Sequence, residues 1–431
     1  MGDLILSVQF RVSGLISVVL LTLSLLVATI FSASGAWAFS VGDGTTFNNP
    51  VGDRAAKWRI VTKVEQAIDN TCPVICVPEA RETILISTYL MDRQATADKL
   101  IAADRRGANV QVVMDSVITS TPSNRLVNDL GKPDKNGDGR VTPADADADG
   151  QRSFAIKCKD SCRGGRGNNH VKFYAFTKAG DTSNVVMVSS ANLNKGGALN
   201  GWNDMYTMTE RPDIYAVYRT VHEEMAEDDP FDATSQQWVE RGYIEQPTGN
   251  FIHRFFPRKG AGKEDDPAYQ QLEKIKCQGA TDGSGSNGRT VVKIAMFWWS
   301  GARGMYLADK VIGLDRAGCD VQVNYGAPSG EVSAKLRASA HNGGIKLWDS
   351  RQRKGADGKP TLRVHNKYMI VSGVYGGNTS DWRVMAGTQN WIAGALTNSD
   401  ENTLEIDSRP AYSAYSAQFE SLKKYSRRIG S

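Results

Sequence analysis

Histidine and cysteine are both scarce in this chain, at five and six of 431 residues, and the charge excess is small, 51 Lys and Arg against 47 Asp and Glu. A net charge of +4 excludes the dense basic loading of dedicated nucleic-acid binders, although it allows contact with anionic lipid or nucleic acid. What remains, 41% hydrophobic and 23% charged, is the composition of a soluble globular protein. It is too long for one ordinary core, which predicts two domains of about 200 residues or one large one.

One long apolar run is present. Arg11 precedes an uncharged stretch from Val12 to Phe31, and Ala36-Trp37-Ala38 then has the small-x-small form of a cleavage site. This predicts a leader over 1–38 and a secreted protein; the run is also long enough for an uncleaved membrane anchor, the alternative reading. In an exported chain six cysteines read as disulfides rather than metal ligands or nucleophiles. The spacing of Cys72/Cys76 and Cys158/Cys162 suggests two local loops, leaving Cys277 with Cys319, one connectivity among the many that six cysteines allow.

The segment "ADKLIAADRRGANVQVVMDS" from Ala97 has a counterpart in "ADKVIGLDRAGCDVQVNYGA" from Ala308, at a constant offset of 211. Each follows a β-like run, "TILISTYL" from Thr83 and "VVKIAMFWW" from Val291, and reads as strand, helix, Gly turn and strand. A match of this length implies a duplicated domain. We place the copies at 39–230 and 231–431, with the boundary in "AEDDPFDATSQQ". Later landmarks fall at offsets of 195 and 198, so the first copy carries an insert before His170. The insert is "DKNGDGRVTPAD". Asp134, Asn136 and Asp138 take positions 1, 3 and 5 of an EF-hand-like loop, Gly139 the turn, Arg140 a carbonyl at 7 and Asp145 the close at 12. Extended to Gly150, it is read as a structural Ca2+ loop, with a solvated acidic linker as the alternative.

Two of the five histidines stand in the same frame: "HVKFYAFTK" from His170 and "HNKYMIVSG" from His365. Residues two apart in a strand share a face, so His170 projects with Lys172 and His365 with Lys367. A second strand follows each, carrying Ser190 and Asn192 in the first copy and Thr388 and Asn390 in the second. Together the copies offer two each of imidazole, ammonium, hydroxyl and carboxamide, a set suited to a phosphodiester. Lysines and asparagines can neutralise the nonbridging oxygens while one imidazole attacks phosphorus and the other protonates the leaving oxygen. No cofactor is required for that chemistry.

The paired motifs "HVKFYAFT…SSANLN" and "HNKYMIVS…GTQNW", followed by "NSDENTLEI", resemble the phospholipase D superfamily, whose duplicated H-x-K-x4-D motif precedes a G-x-N strand. Thr177 and Ser372 stand where the motif has Asp. The resemblance implies two similar α/β/α/β/α-layered domains forming a pseudo-twofold dimer in one chain, a monomer with its active site between the halves. It implies His170 as nucleophile, His365 as general acid, and Lys172, Lys367, Asn192 and Asn390 on the phosphate. An acidic residue orients a histidine in that family. Glu401, eleven residues after Asn390, matches it; the residue eleven after Asn192 is Asn203, and the neighbouring Asp204 is the candidate in the first copy. His222, His253 and His341 lack such context and read as ordinary.

A secreted phospholipase D-like enzyme is the expectation, hydrolysing the distal phosphodiester of a phospholipid at a membrane or vesicle surface or transferring the phosphatidyl group to an alcohol. Phe297 to Ser300, "FWWS", reads as core, with aromatic surface for lipid as the alternative. A secreted nuclease is the competing reading, from the basic loop "SRQRKGADGKPTLR" leading into His365; a noncatalytic exported binding protein is the third.

Overall fold

The structure is a computed structural model that describes residues 39–430 apart from 118, 138–142, 165, 230–241 and 352–360. The expected leader, the expected domain boundary and most of the basic loop before His365 lie outside the described residues. Among the described residues no helix is long and apolar enough to cross a membrane.

The repeat folds as its pattern demands. Thr83–Thr88 is a strand buried from Ile84 onward, followed by the helix Gln94–Arg105 and the parallel strand Asn109–Asp115. In the second copy Val291–Trp299, the helix Gly301–Arg316 and Asp320–Pro328 repeat the unit. Each helix ends at a glycine with positive φ, Gly107 at 91° and Gly318 at 101°, where a side chain would be strained. A parallel pair needs such a crossover, and it lays the apolar stripe of the helix on the sheet.

Two mixed sheets result. The first runs Gly44–Phe47, Asp204–Met208, Thr182–Ser189, Lys172–Ala179, Thr83–Thr88, Asn109–Asp115, Phe154–Cys158. The second contains the same six-strand order: Asn402–Asp407, Asn378–Gly387, Lys367–Tyr375, Val291–Trp299, Asp320–Pro328, Lys346–Asp349. Ile244–Thr248 and Phe251–Phe255 extend that sheet beyond Asn402–Asp407. Two α/β halves of one pattern, as expected, are therefore joined in one chain.

The halves share a core. The helix Pro212–Ala226 buries Ile214, Tyr215, Tyr218, Val221 and Met225, and Arg409–Lys423 buries Ala411, Tyr415, Phe419 and Leu422, both at helical spacing. These side chains form one cluster with Phe173, Val186 and Val188 of the first sheet and Tyr368, Ile370, Val384 and Leu404 of the second. Residues Val41–Ser431 make up a single compact unit. Three disulfides, Cys72–Cys76, Cys158–Cys162 and Cys277–Cys319, match the expected connectivity.

Candidate active site

The two motif strands are central in their sheets, and each forms a long hairpin with the strand that ends near its Asn: Lys172–Ala179 with Thr182–Ser189, and Lys367–Tyr375 with Asn378–Gly387. The long spacing from His to Asn in the sequence is the length of these hairpins. Each histidine sits just before its strand, where the backbone is held by the opposite half. His170 N donates to Asp400 O at 2.8 Å, and His365 N donates to Trp202 O at 3.0 Å.

The side chains are paired crosswise as well. His170 Nδ1 lies 2.9 Å from Glu401 Oε2, and His365 Nδ1 lies 2.7 Å from Asn203 Oδ1. The sequence-based choice of Asp204 is therefore corrected to Asn203. Asp204 is fully buried, and its carboxylate accepts from Ser190 Oγ at 3.0 Å, Asn366 Nδ2 at 2.6 Å and Tyr415 at 3.1 Å, with no histidine in reach of those bonds. Asn203 Nδ2 donates to the carbonyls of Gly197 and Gly201, both at 3.0 Å. The amide is thereby fixed with its oxygen toward His365, so that oxygen must accept a proton from Nδ1. The signal was present: Asn203 stands eleven residues after Asn192, as Glu401 does after Asn390, but a carboxylate was preferred to an amide.

Both motif lysines are buried, Lys172 completely. Each ammonium folds back to the carbonyl of its histidine at 2.6 Å, and Lys367 Nζ also lies 3.1 Å from His365 Nε2. Burial pushes Lys172 down to about 7 against the pull of Glu401 and Asp115. Lys367 is held well below its ordinary value by burial and by Lys172. Burial, then the two lysines, push both histidines well below the usual imidazole value. Glu401, fully enclosed, is pushed up to about 8 by burial, with Lys172 pulling the other way. The enclosure thus crowds the two lysines together, with Glu401, Asp115 and Asp204 opposing their repulsion, and an anion entering it relieves that repulsion further.

Asn390 Oδ1 accepts from Trp298 N at 3.1 Å, which turns the amide nitrogen the other way as a donor. Asn192 is buried, and among the described residues its Oδ1 has no hydrogen-bond partner. The hydroxyls expected beside the asparagines are not aimed at a substrate. Ser190 Oγ is spent on Asp204, and Thr388 Oγ1 bonds the backbone of Asn402. Two aromatic rings flank the imidazoles, Tyr89, which the sequence reading did not single out, and Phe297, the first residue of "FWWS". Tyr89 lies 5.0 Å from the His170 ring and Phe297 4.7 Å from that of His365. Each follows the residue paired with a motif lysine, Thr88 with Lys172 and Met296 with Lys367, so strand register would have found them. The cluster "FWWS" divides accordingly. Trp299 is core, its Nε1 on Gly304 O, whereas Trp298 is 46% exposed.

Thr177 and Ser372, standing in place of the motif Asp, lie far along their strands from the histidines. Thr177 Oγ1 accepts from Thr83 N at 2.7 Å, and Ser372 Oγ from Gly285 N at 2.9 Å. A hydroxyl suffices for that structural bond, and the substitutions leave the histidines untouched. His222 and His253 are core residues: Tyr218 and Thr248 bond the two nitrogens of His253, and Ser87 bonds Nδ1 of His222.

The turn between Cys158 and Cys162 reaches this site through Asp400. Cys162 N donates to Asp400 Oδ2 at 2.6 Å and Arg163 N to Oδ1 at 3.3 Å, while the backbone of Asp400 holds His170. Asp400 is the neighbour of Glu401, so the disulfide turn fixes both backbones beside the first imidazole. We predict that the double variant Cys158→Ser/Cys162→Ser loses about tenfold in kcat at a temperature where it is folded. Cys72→Ser/Cys76→Ser should lower only the melting temperature. Equal kcat in both variants would refute the link.

Of the expected calcium loop, Asp138, Gly139 and Arg140 lie outside the described residues. Asp134 Oδ1 accepts from Gly137 N at 2.6 Å, and Asp145 Oδ1 from Lys135 N and Asn136 N at 3.0 and 3.3 Å, so the loop closes on its own first and last carboxylates.

Comparison with known proteins bears on the whole arrangement. No curated protein matches the chain in sequence. Among solved structures, phosphatidylserine synthase of Haemophilus influenzae Rd KW20 superposes with a TM-score of 0.55 at 12% identity, over 91% of this chain and 89% of that one. Polyphosphate kinase of Porphyromonas gingivalis gives 0.49 at 11% identity over 88% of this chain, which spans only 50% of that protein. Nuc of Salmonella typhimurium, a phospholipase D family member, gives 0.29 at 15%, over 42% of this chain and 98% of its own. At such identities the likeness is one of fold. The family described as "Cardiolipin synthase, PLD-like domain" matches residues 75–226 and 286–423, more than half of the chain and inclusive of both H-x-K strands, Asn203 and Glu401. With its doubled sheet and its histidines paired across the halves, the chain belongs to the phospholipase D superfamily.

Proposed function

We propose that the protein is an exported phosphodiesterase that acts, as a monomer, on the head-group phosphodiester of phospholipids through a phosphohistidine on His170. The observation that carries this reading is the crosswise pairing of His170 with Glu401 and His365 with Asn203, with Lys172 and Lys367 buried beside them. A tetrahedral phosphate suits a donor set of two ammonium and two carboxamide groups. Family members act on phosphodiesters or modify phospholipids. The cardiolipin synthase description of the matched family and the exposed Trp298, bonded through its backbone to Asn390, favour a lipid.

The asymmetry of the two histidine partners supports His170 as nucleophile and His365 as acid. With Nδ1–H donated to Glu401, His170 presents a bare Nε2 to phosphorus. The N–P bond forms as the P–O bond breaks, and the imidazole gains positive charge that Glu401 is placed to stabilise. Asn203 offers His365 orientation without charge, so protonated His365 surrenders its Nε2 proton readily to the leaving oxygen. Lys367, at 3.1 Å from that nitrogen, shifts its hydrogen bonds to the phosphate. In the second step neutral His365 takes a proton from water or an acceptor alcohol, whose oxygen displaces His170.

The deciding experiment follows head-group release from mixed phosphatidylcholine and phosphatidylserine vesicles alongside plasmid nicking. Release of head groups without nicking is expected. Nicking alone would make the protein a nuclease, and silence on both would favour a binding protein. A cation bound at residues 134–145 would act on the fold and not on the chemistry. EDTA should lower the melting temperature by about 5 °C with turnover unchanged below the transition. Instant loss of turnover in still-folded protein would contradict a metal-free mechanism.

A further inference from the structure

Two residues before His365 stands a cation that the two-step reaction does not use. The guanidinium of Arg363 lies 4.9 Å over the ring of Phe297, the same ring that packs 4.7 Å from the His365 imidazole. Its backbone is pinned in a short parallel pairing with Gly201, next to the Trp202 carbonyl that holds His365. Arg363 is half-buried, yet among the described residues no carboxylate or carbonyl bonds its guanidinium. Four other buried or half-buried arginines are each neutralised by a carboxylate: Arg254 by Glu405, Arg303 by Asp266, Arg351 by Asp349 and Arg383 by Asp381. Its field reaches the site, pushing down both His365 and Lys367.

The first half has no equivalent. The residue two before His170 is Asn168, neutral, whose carbonyl accepts from Asp400 N at 2.9 Å. The extra positive charge therefore lies only on the side of His365, and in the reading above that side holds the departing alcohol. A half-buried guanidinium left without a partner and stacked on an aromatic ring is a receptor for a planar or tetrahedral anion.

We propose that Arg363 binds a second anionic group carried by the leaving alcohol, so that phospholipids whose head group bears its own carboxylate or phosphate are preferred to those ending in a quaternary ammonium. This rests on the phospholipid reading and on His365 as the acid. The cation beside the leaving group attracts the anionic head and repels choline, whose charge would face both Arg363 and Lys367.

The test uses soluble dihexanoyl phospholipids below their micellar concentration, which removes any effect of surface charge. Five heads are compared: 1-propanol, 3-hydroxypropionate, glycerol 3-phosphate, choline and serine. Wild-type kcat/KM should be about tenfold or more higher for hydroxypropionate or glycerol phosphate than for propanol, with choline lowest. The larger gain of the two acidic heads identifies carboxylate or phosphate as the favoured group. In Arg363→Gln the acidic-to-propanol ratio should fall to within about twofold, and Arg363→Lys should restore part of it. Melting curves establish that each variant is folded, and because a ratio of heads is read, partial misfolding does not mimic the result. A flat or reversed order in wild type, or an order that survives Arg363→Gln, overturns the proposal while leaving the phospholipase reading intact. Failure of the wild type on every head overturns both.

Discussion

His170→Ala should reduce turnover of phospholipid by roughly 10⁴-fold or more, because it removes the atom that attacks phosphorus and leaves only binding and electrostatics. His365→Ala should look equally inactive on natural lipids but for a different reason, and a leaving-group series separates the two. With a p-nitrophenyl ester the departing oxygen needs no proton. His365→Ala should then release one equivalent of nitrophenol and stop, holding the phosphatidyl group on His170, since nothing remains to activate water. His170→Ala should give no burst. Intact-mass spectra of the His365→Ala protein, quenched in denaturant at alkaline pH where the N–P bond survives, should carry the adduct, and peptide mapping at the same pH should place it on His170. An adduct on another residue, or more than about 1% activity in His170→Ala, would remove His170 from the role of nucleophile.

Glu401→Gln should lower kcat by about 10²–10³-fold and change the shape of the pH profile. The amide keeps an oxygen for His170 Nδ1–H but cannot balance the charge of a phosphoimidazolium. In the wild type the working state needs Glu401 ionised with His170 neutral, one proton fewer than the closed-down pair. Burial pushes the Glu401 carboxyl up to about 8, so the Glu401 limb of the profile should rise with pH through the upper neutral range, opposed by a falling limb as His365 loses the proton it donates. In Glu401→Gln only the imidazole is left to titrate, and its value is depressed, so the rise should move to lower pH or vanish above pH 6. Stability should change in the opposite sense. A folded-state value raised above the unfolded one means the fold binds the extra proton, and Glu401 weakens the fold progressively as pH climbs from about 4.5 toward 8. The variant escapes that cost, so its melting temperature should gain on the wild type over this window. A parallel pH profile in both proteins would show that Glu401 does not set the state of His170.

The duplicated unit was legible because its helix, Gly turn and second strand repeat at one offset, and a glycine at positive φ is a requirement that composition alone can reveal. His170, Lys172, His365 and Lys367 were legible for a similar reason: the strand period puts each pair on one side. The partner of His365 was not, because Asn203 and Asp204 both reach the other half and only the fold decides which of them meets the imidazole. The bonds of Asn203 to Gly197 and Gly201 aim its oxygen at His365, while Asp204 meets Asn366 and Tyr415 instead. Tyr89, Phe297 and Arg363 were hidden by the same limitation, since their nearness to the imidazoles comes from strand register and from the short pairing of Arg363 with Gly201. Conversely Thr177 and Ser372, which looked like defects in the motif, only close backbone bonds at the far ends of the hairpins.

The exchange of partners across the halves has a consequence for how such a molecule can change. If the two halves were separate identical subunits, any substitution beside one histidine would appear beside the other, and both imidazoles would be obliged to share one chemistry. Joined in a single polypeptide, the positions drift independently. Here one has become or remained a carboxylate and the other an amide, and a guanidinium has been placed on one side only. Covalent linkage is thus what permits the division of labour between nucleophile and acid. It also binds their fates together, because Glu401 serves a histidine 231 positions away and Asn203 one 162 positions away, so that neither half inherits a working site without the other.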